Sequence, residues 1–159
     1  PMKDGGVDID SAVKAVGEEE NVLVYIQRSR GYGDRRALSV SEIEDIIKKI
    51  KDKNPKALVM VDNCYGEFCE TREPTHVGAD IMAGSLIKNP GGGLAPTGGY
   101  VAGKSELVER AAERLTVPGI GRECGSSLGN NRLLFQGFFM APHIVSQALM
   151  TAIFAAKIS

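Results

Sequence analysis

NVLVYIQRSRGYGDRRALSVSEIEDIIKKIKDKNPKALVMVDN, residues 21–63, is the stretch that decides the fold. Asn21 to Gln27 is rich in β-forming residues and reads as a short buried strand. A polar, glycine-broken loop runs from Arg28 to Leu38. A helix is expected to begin near Ser39 or Ser41, with Glu42 and Glu44 three residues on as capping-box partners. Its apolar face is Ile43, Ile46, Ile47 and Ile50, and Asn54-Pro55 stops it. Ala57 to Val61 is a second buried strand, continuous in apolar residues as parallel strands tend to be.

Outward from this unit, short strands are expected at Asp80 to Ala83 and at Tyr100 to Ala102. Lys104 to Leu115 reads as a charged amphipathic helix, and a long apolar helix closes the chain near 130–157. Strand, helix, strand, strand, strand, helix is an α/β order, with a mostly parallel sheet flanked by helices. The 159 residues make one domain with enough chain to bury a core.

Composition narrows the function classes. Lys plus Arg is 19 and Asp plus Glu is 20, a net charge of -1, which gives no electrostatic case for nucleic acid or an anionic membrane as partner. Three cysteines, Cys64, Cys69 and Cys124, are too few and too unevenly placed for a disulfide framework, so a reducing cytoplasm is expected. Pro1 to Ser11 is polar and carries Lys3, Asp4, Asp8 and Asp10, unlike a signal peptide. Leu133 to Ala156 holds no charged residue and is long enough to span a bilayer. However, Gln136, His143, Gln147 and Thr151 draw one polar stripe down that helix, and Pro142 interrupts it; packing inside protein is the expectation, with no membrane partner.

Ligands of open α/β sheets sit outside the carboxyl ends of the strands. Three segments reach that edge: Gln27-Arg28-Ser29-Arg30, Asp62-Asn63-Cys64-Tyr65 and Gly84-Ser85-Leu86-Ile87-Lys88. Asp62 ends an apolar strand, where a carboxylate is costly unless paired or functional. Lys88 lies among small and apolar neighbours, Ala83, Gly84, Leu86 and Ile87. That suits a partly buried amine of lowered pKa, available for Schiff-base chemistry.

From Val22 to Gly103 the chain resembles the fold type I (aspartate-aminotransferase-like) pyridoxal-phosphate enzymes, most nearly those of cysteine and methionine metabolism. The resemblance rests on Val61-Asp62-Asn63-Cys64-Tyr65, Gly78-Ala79-Asp80 and Ser85-Leu86-Ile87-Lys88, in that order. The form SLIKNPGGGLAPTGGY, residues 85–100, looks like the branch known as methionine gamma-lyase family or aluminium resistance proteins. The resemblance implies pyridoxal 5'-phosphate as cofactor, held by Lys88 as a Schiff base, with Asp62 pairing the protonated pyridine nitrogen. It implies Ser85 on the cofactor phosphate, Gln27 or Arg28 near the ring's 3-hydroxyl, and Asn63 and Tyr65 near the ring. It also implies carbon-sulfur elimination from a small amino-acid substrate such as methionine or cystathionine, and a homodimer or homotetramer. Aminotransfer and replacement run on the same scaffold. Family members carry an N-terminal segment and a C-terminal small domain that are not visible in this sequence, so the chain is expected to be an incomplete large-domain core.

Two rival readings exist. Gly98 to Ser105 fits G-x4-G-K-S, the spelling of a phosphate-binding loop, but no strand precedes it and Tyr100-Val101-Ala102 is itself strand-like. A metal site from Cys64, Cys69, Cys124, His76 and His143 fits none of the standard zinc spacings, so no metal is expected.

Overall fold

The computed structural model describes residues 2–3, 5–125 and 128–158; Pro1 and Asp4, part of the polar opening, lie outside them. A small antiparallel hairpin, β1 (Met2–Lys3) with β2 (Gly6–Val7), leads into α1 (Ile9–Val16), whose first turn is capped by the Asp8 carboxylate accepting from Ser11 N. The main sheet follows: β3 (Leu23–Gln27), β4 (Leu58–Asp62), β5 (Ile81–Ser85) and β6 (Gly99–Gly103), adjacent in that order. β3, β4 and β5 run parallel, and β6 returns antiparallel on β5. The sheet is therefore mostly parallel, as expected, with one reversed edge strand.

Between β3 and β4 lies α2 (Val40–Lys53). Ser39 is its N-cap: Ser39 Oγ accepts from Glu42 N at 3.2 Å, and Glu42 returns the favour by accepting from Ser39 N at 2.9 Å. The four isoleucines expected on its apolar face, Ile43, Ile46, Ile47 and Ile50, are all buried against Val59, Val61 and Ile26 of the sheet. Each such side chain contributes about 1.5–3 kcal/mol of burial free energy. α1 packs its Ile9, Val13 and Val16 against the same core.

Asp80 fastens this core from below. Its carboxylate accepts from Val59 N at 2.7 Å and pairs with Lys51 at 2.7 Å and Lys104 at 2.6 Å, so one side chain ties α2, β4 and the end of β6 together. These contacts also dispose of the phosphate-loop reading. Gly99 to Gly103 is a strand, Lys104 is committed to Asp80, and Ser105 opens α3 (Ser105–Leu115).

The closing helix, α4 (Asn131–Ile158), differs from its expectation. Only Gly137, Ala141 and Val145 are buried, a narrow stripe at fourfold spacing. It lies against the turn at Asn89–Gly91 and Gly92, where a Cβ on Gly92 or Gly137 would strike the other segment's backbone. The polar positions Gln136, His143, Gln147 and Thr151 face solvent, and so do Phe135, Phe139, Ile153 and Phe154. Small residues let the helix approach along one line, and beside that line the Phe138 ring meets the Phe68 ring edge-on, centroids 5.7 Å apart. By length and composition it could cross a membrane, and 11% of its most apolar window is buried.

Candidate active site

Strand pleating sorts the predicted residues. Side chains alternate faces along a strand, and partners in register share a face. Gln27 pairs with Asp62 and Asp62 with Ala83, which sets Gln27, Asp62, Ala83 and, two residues on, Ser85 on one side of the sheet. Arg28 and Asn63, each one residue further, fall toward the other side.

Gln27 and Asp62 of the first set open onto a cleft of about 1070 Å³ at the carboxyl ends of β3 and β4. Gln27, Asp62, Cys64, Tyr65 and Lys88 line it, with Arg30 from the loop after β3. Asp62 is fixed at both oxygens: Oδ1 accepts from Cys64 N and Oδ2 from the Tyr25 hydroxyl, each at 3.0 Å. Burial pushes its pKa up, but the Cys64 thiol and N–H, the Tyr25 hydroxyl and the charge of Lys88 outweigh burial and hold it below the ordinary aspartate value.

Lys88 sits three residues past β5, in the turn where Lys88 N donates to Ser85 O at 3.4 Å. Its ammonium lies 4.2 Å from the centroid of the Tyr65 ring, within cation–π range. Tyr65 occupies a left-handed backbone conformation, φ +67°, as does Phe68 at +61°, and two such residues in one short loop store strain beside the cleft. The expected fall in the Lys88 pKa does not occur. Burial pulls it down, yet the hydrogen bond with Tyr65 and the negative potential of Cys64, Tyr65 and Asp62 leave it above the ordinary lysine value. The side chain is only half-buried, so desolvation loses to its acidic neighbours.

Two predicted residues are tied into a buried polar network. Asn63 is completely buried on the core side; its Oδ1 accepts from Arg28 Nη1 at 2.8 Å, and its Nδ2 donates to Glu73 at 2.9 Å and Tyr100 at 3.3 Å. Arg28 forms part of the cleft wall, but its guanidinium is engaged on all three nitrogens, by Leu38 O, Asn63 with Glu73, and Glu70 at 2.6 Å. Asn63 faces away from the cleft, and the Arg28 guanidinium is held at the cleft wall by its acidic partners. They are the centre of a buried polar network that continues through Tyr100 to Glu67, whose pKa is raised chiefly by burial. Ser85 lies outside the cleft lining, on the Asp62 face of the sheet.

Sequence reasoning missed Tyr25 and the Cys64 amide, the two groups that fix Asp62. The signal for Tyr25 is its place two residues before Gln27, on the same face. Among the described residues, no group of three or more His, Cys, Asp or Glu is placed to hold a metal ion.

The donor set suits pyridoxal phosphate: an amine and an ionised acid on one cleft, with an aromatic ring against the amine. Comparison with known proteins points the same way. The sequence profile described as methionine gamma-lyase matches residues 1–159. The chain is 54% identical over 155 residues to the uncharacterized protein YnbB of Bacillus subtilis (strain 168), covering 98% of this chain and 37% of YnbB. It is similar to a crystal structure from Clostridium acetobutylicum, named as a candidate cystathionine beta-lyase involved in aluminium resistance. That match has 57% identity and a TM-score of 0.84, over 89% of this chain and 34% of that one. A carbon-sulfur lyase involved in aluminium resistance from Clostridium novyi NT matches at 51% identity and a TM-score of 0.85, over 93% of this chain and 35% of that one. The chain thus spans about a third of the length of these relatives.

Proposed function

The chain belongs to the methionine gamma-lyase family, and from that membership we propose that it is the cofactor-binding core of a pyridoxal-phosphate-dependent carbon-sulfur lyase. The substrate is a sulfur-containing amino acid of the methionine or cystathionine type, cleaved by elimination. One observation carries the reading: Lys88 and Asp62, from different strand ends, line one cleft and feel each other's charge. The lyase and aluminium-resistance names of the solved relatives support the reaction class.

The chemistry that bound pyridoxal phosphate supplies is an electron sink for a carbanion at the substrate Cα. The protein's part is placement. With the cofactor bound, Lys88 would hold it through Nζ and would be the group that moves a proton at the substrate Cα. Asp62, ionised and pinned at both oxygens, keeps a proton on the ring nitrogen. Tyr65 packs its ring against the Lys88 side chain and limits where Nζ can go. Gln27, beside Asp62 in register and on the same cleft, is the group from β3 that would meet the cofactor. Ser85 takes the phosphate in the assembled enzyme, as the serine three before the lysine does in the family.

The exposed apolar face of α4 is the assembly surface of a homodimer or homotetramer, and the enzyme works in the cytoplasm. The test of the cofactor site is absorbance of the full-length protein with added pyridoxal phosphate. Lys88→Ala removes the visible band of the bound cofactor, and Asp62→Asn weakens cofactor binding while leaving the band. A Lys88→Ala protein that keeps the band through dialysis, and keeps the cofactor covalently attached after borohydride reduction, places the amine elsewhere.

A further inference from the structure

Tyr25 lies on β3 one pleat before Gln27, outside the cleft lining, and the residue is 57% exposed on the open face of the sheet. So exposed a residue gains little from burial, and its specific contact is the hydroxyl, which donates to Asp62 Oδ2 at 3.0 Å across a sequence separation of 37. The other carboxylate oxygen receives Cys64 N at 3.0 Å. A carboxylate held at each oxygen by a donor from a different segment is confined to one orientation about its own bonds. Each oxygen still has a lone pair to offer a third donor. The Cys64 amide alone would fix one oxygen and leave the plane of the group free to turn.

Resting on the pyridoxal-phosphate reading above, we propose that Tyr25 is a positioning residue that acts through Asp62: its hydroxyl sets the plane of the carboxylate so that the pyridine nitrogen meets a pre-aligned acceptor. Supporting shells of this kind orient the group that touches the ligand without touching it themselves. The consequence is a dependence of cofactor affinity on a side chain that makes no contact with the cofactor.

A double-mutant cycle on the full-length protein tests this, with the dissociation constant of pyridoxal phosphate as the readout for Tyr25→Phe, Asp62→Asn and the pair. Tyr25→Phe keeps the ring, and circular dichroism checks the fold. Loss of one hydrogen bond to a charged group predicts about tenfold weaker cofactor binding in Tyr25→Phe. Asp62→Asn is weaker still, and adding Tyr25→Phe to it changes nothing further. Without cofactor, the ¹³C titration of the Asp62 carboxyl moves to higher pH in Tyr25→Phe. Tyr25→Phe that binds cofactor within twofold of wild type, with an unmoved Asp62 titration, overturns the inference. So does a full Tyr25→Phe effect in the Asp62→Asn background, which would mean direct contact. An Asp62→Asn protein with wild-type affinity overturns the cofactor reading itself.

Discussion

The two faces of the main sheet are built from alternate residues of the same strands and have opposite fates. On one, Ile26, Val59 and Val61 vanish beneath the isoleucines of α2, and even the polar Arg28 and Asn63 are buried and hydrogen-bonded to each other. On the other, Leu23 and Tyr25 are more than half exposed, and Gln27 and Asp62 open onto the cleft. Stability is stored on the first face and chemistry is presented by the second, although neighbours in sequence serve both. Family resemblance assigns a segment to the site; the pleat decides which of its residues arrive there.

The sharpest way to probe this contrast is to substitute adjacent residues on opposite faces. Arg28→Ala leaves Glu70 and Glu73 without their buried cation and is expected to cost about 3–5 kcal/mol of stability in urea unfolding. An Arg28→Ala protein of wild-type stability but lost cofactor binding would move Arg28 back into the site. Gln27→Ala, one residue away, is expected to stay within about 0.5 kcal/mol in the same unfolding assay and to register only in cofactor binding.

Between these lies Asp80, buried in the core yet charged. Asp80→Asn removes a carboxylate shared by Lys51, Lys104 and Val59 N and is expected to cost about 2 kcal/mol at neutral pH. The pH dependence has a definite sign. Burial raises the Asp80 pKa, but hydrogen bonds from Lys104, Lys51 and Val59 outweigh it and keep the group below its ordinary 3.8. Its contribution is therefore complete above that value and drains away as the pH falls through the lower, folded one. The acid limb of the melting temperature, below about pH 4, should flatten in Asp80→Asn; an unchanged limb would assign acid sensitivity to other carboxylates.

Much of this was legible in residues 21–63. Ser39 with Glu42 located the start of α2, four isoleucines its buried face, and the apolar runs two strands of the parallel core. The Lys88 and Asp62 segments were readable because order and spacing place both at strand ends. What the sequence hid has physical causes. The hairpin β1–β2 and α1 are too short to show a period. The direction of β6 depends on pairing, not on its own residues. The commitment of Arg28 to Glu70 and Glu73 joins side chains more than forty residues apart, beyond any local pattern. The polar stripe of α4 suggested a packed helix, whereas the small residues Gly137 and Ala141 and the adjoining Val145 make its contact. That Gln27 and Arg28 point to opposite faces, by contrast, needed only the two-residue period of a strand.

The central claim concerns which amine holds the cofactor, and it can be read directly. Full-length protein loaded with pyridoxal phosphate, reduced with borohydride, digested and sequenced by mass spectrometry should carry the reduced cofactor on Lys88. Label on Lys104, Lys51 or any other lysine, with Lys88 unmodified, would contradict the account.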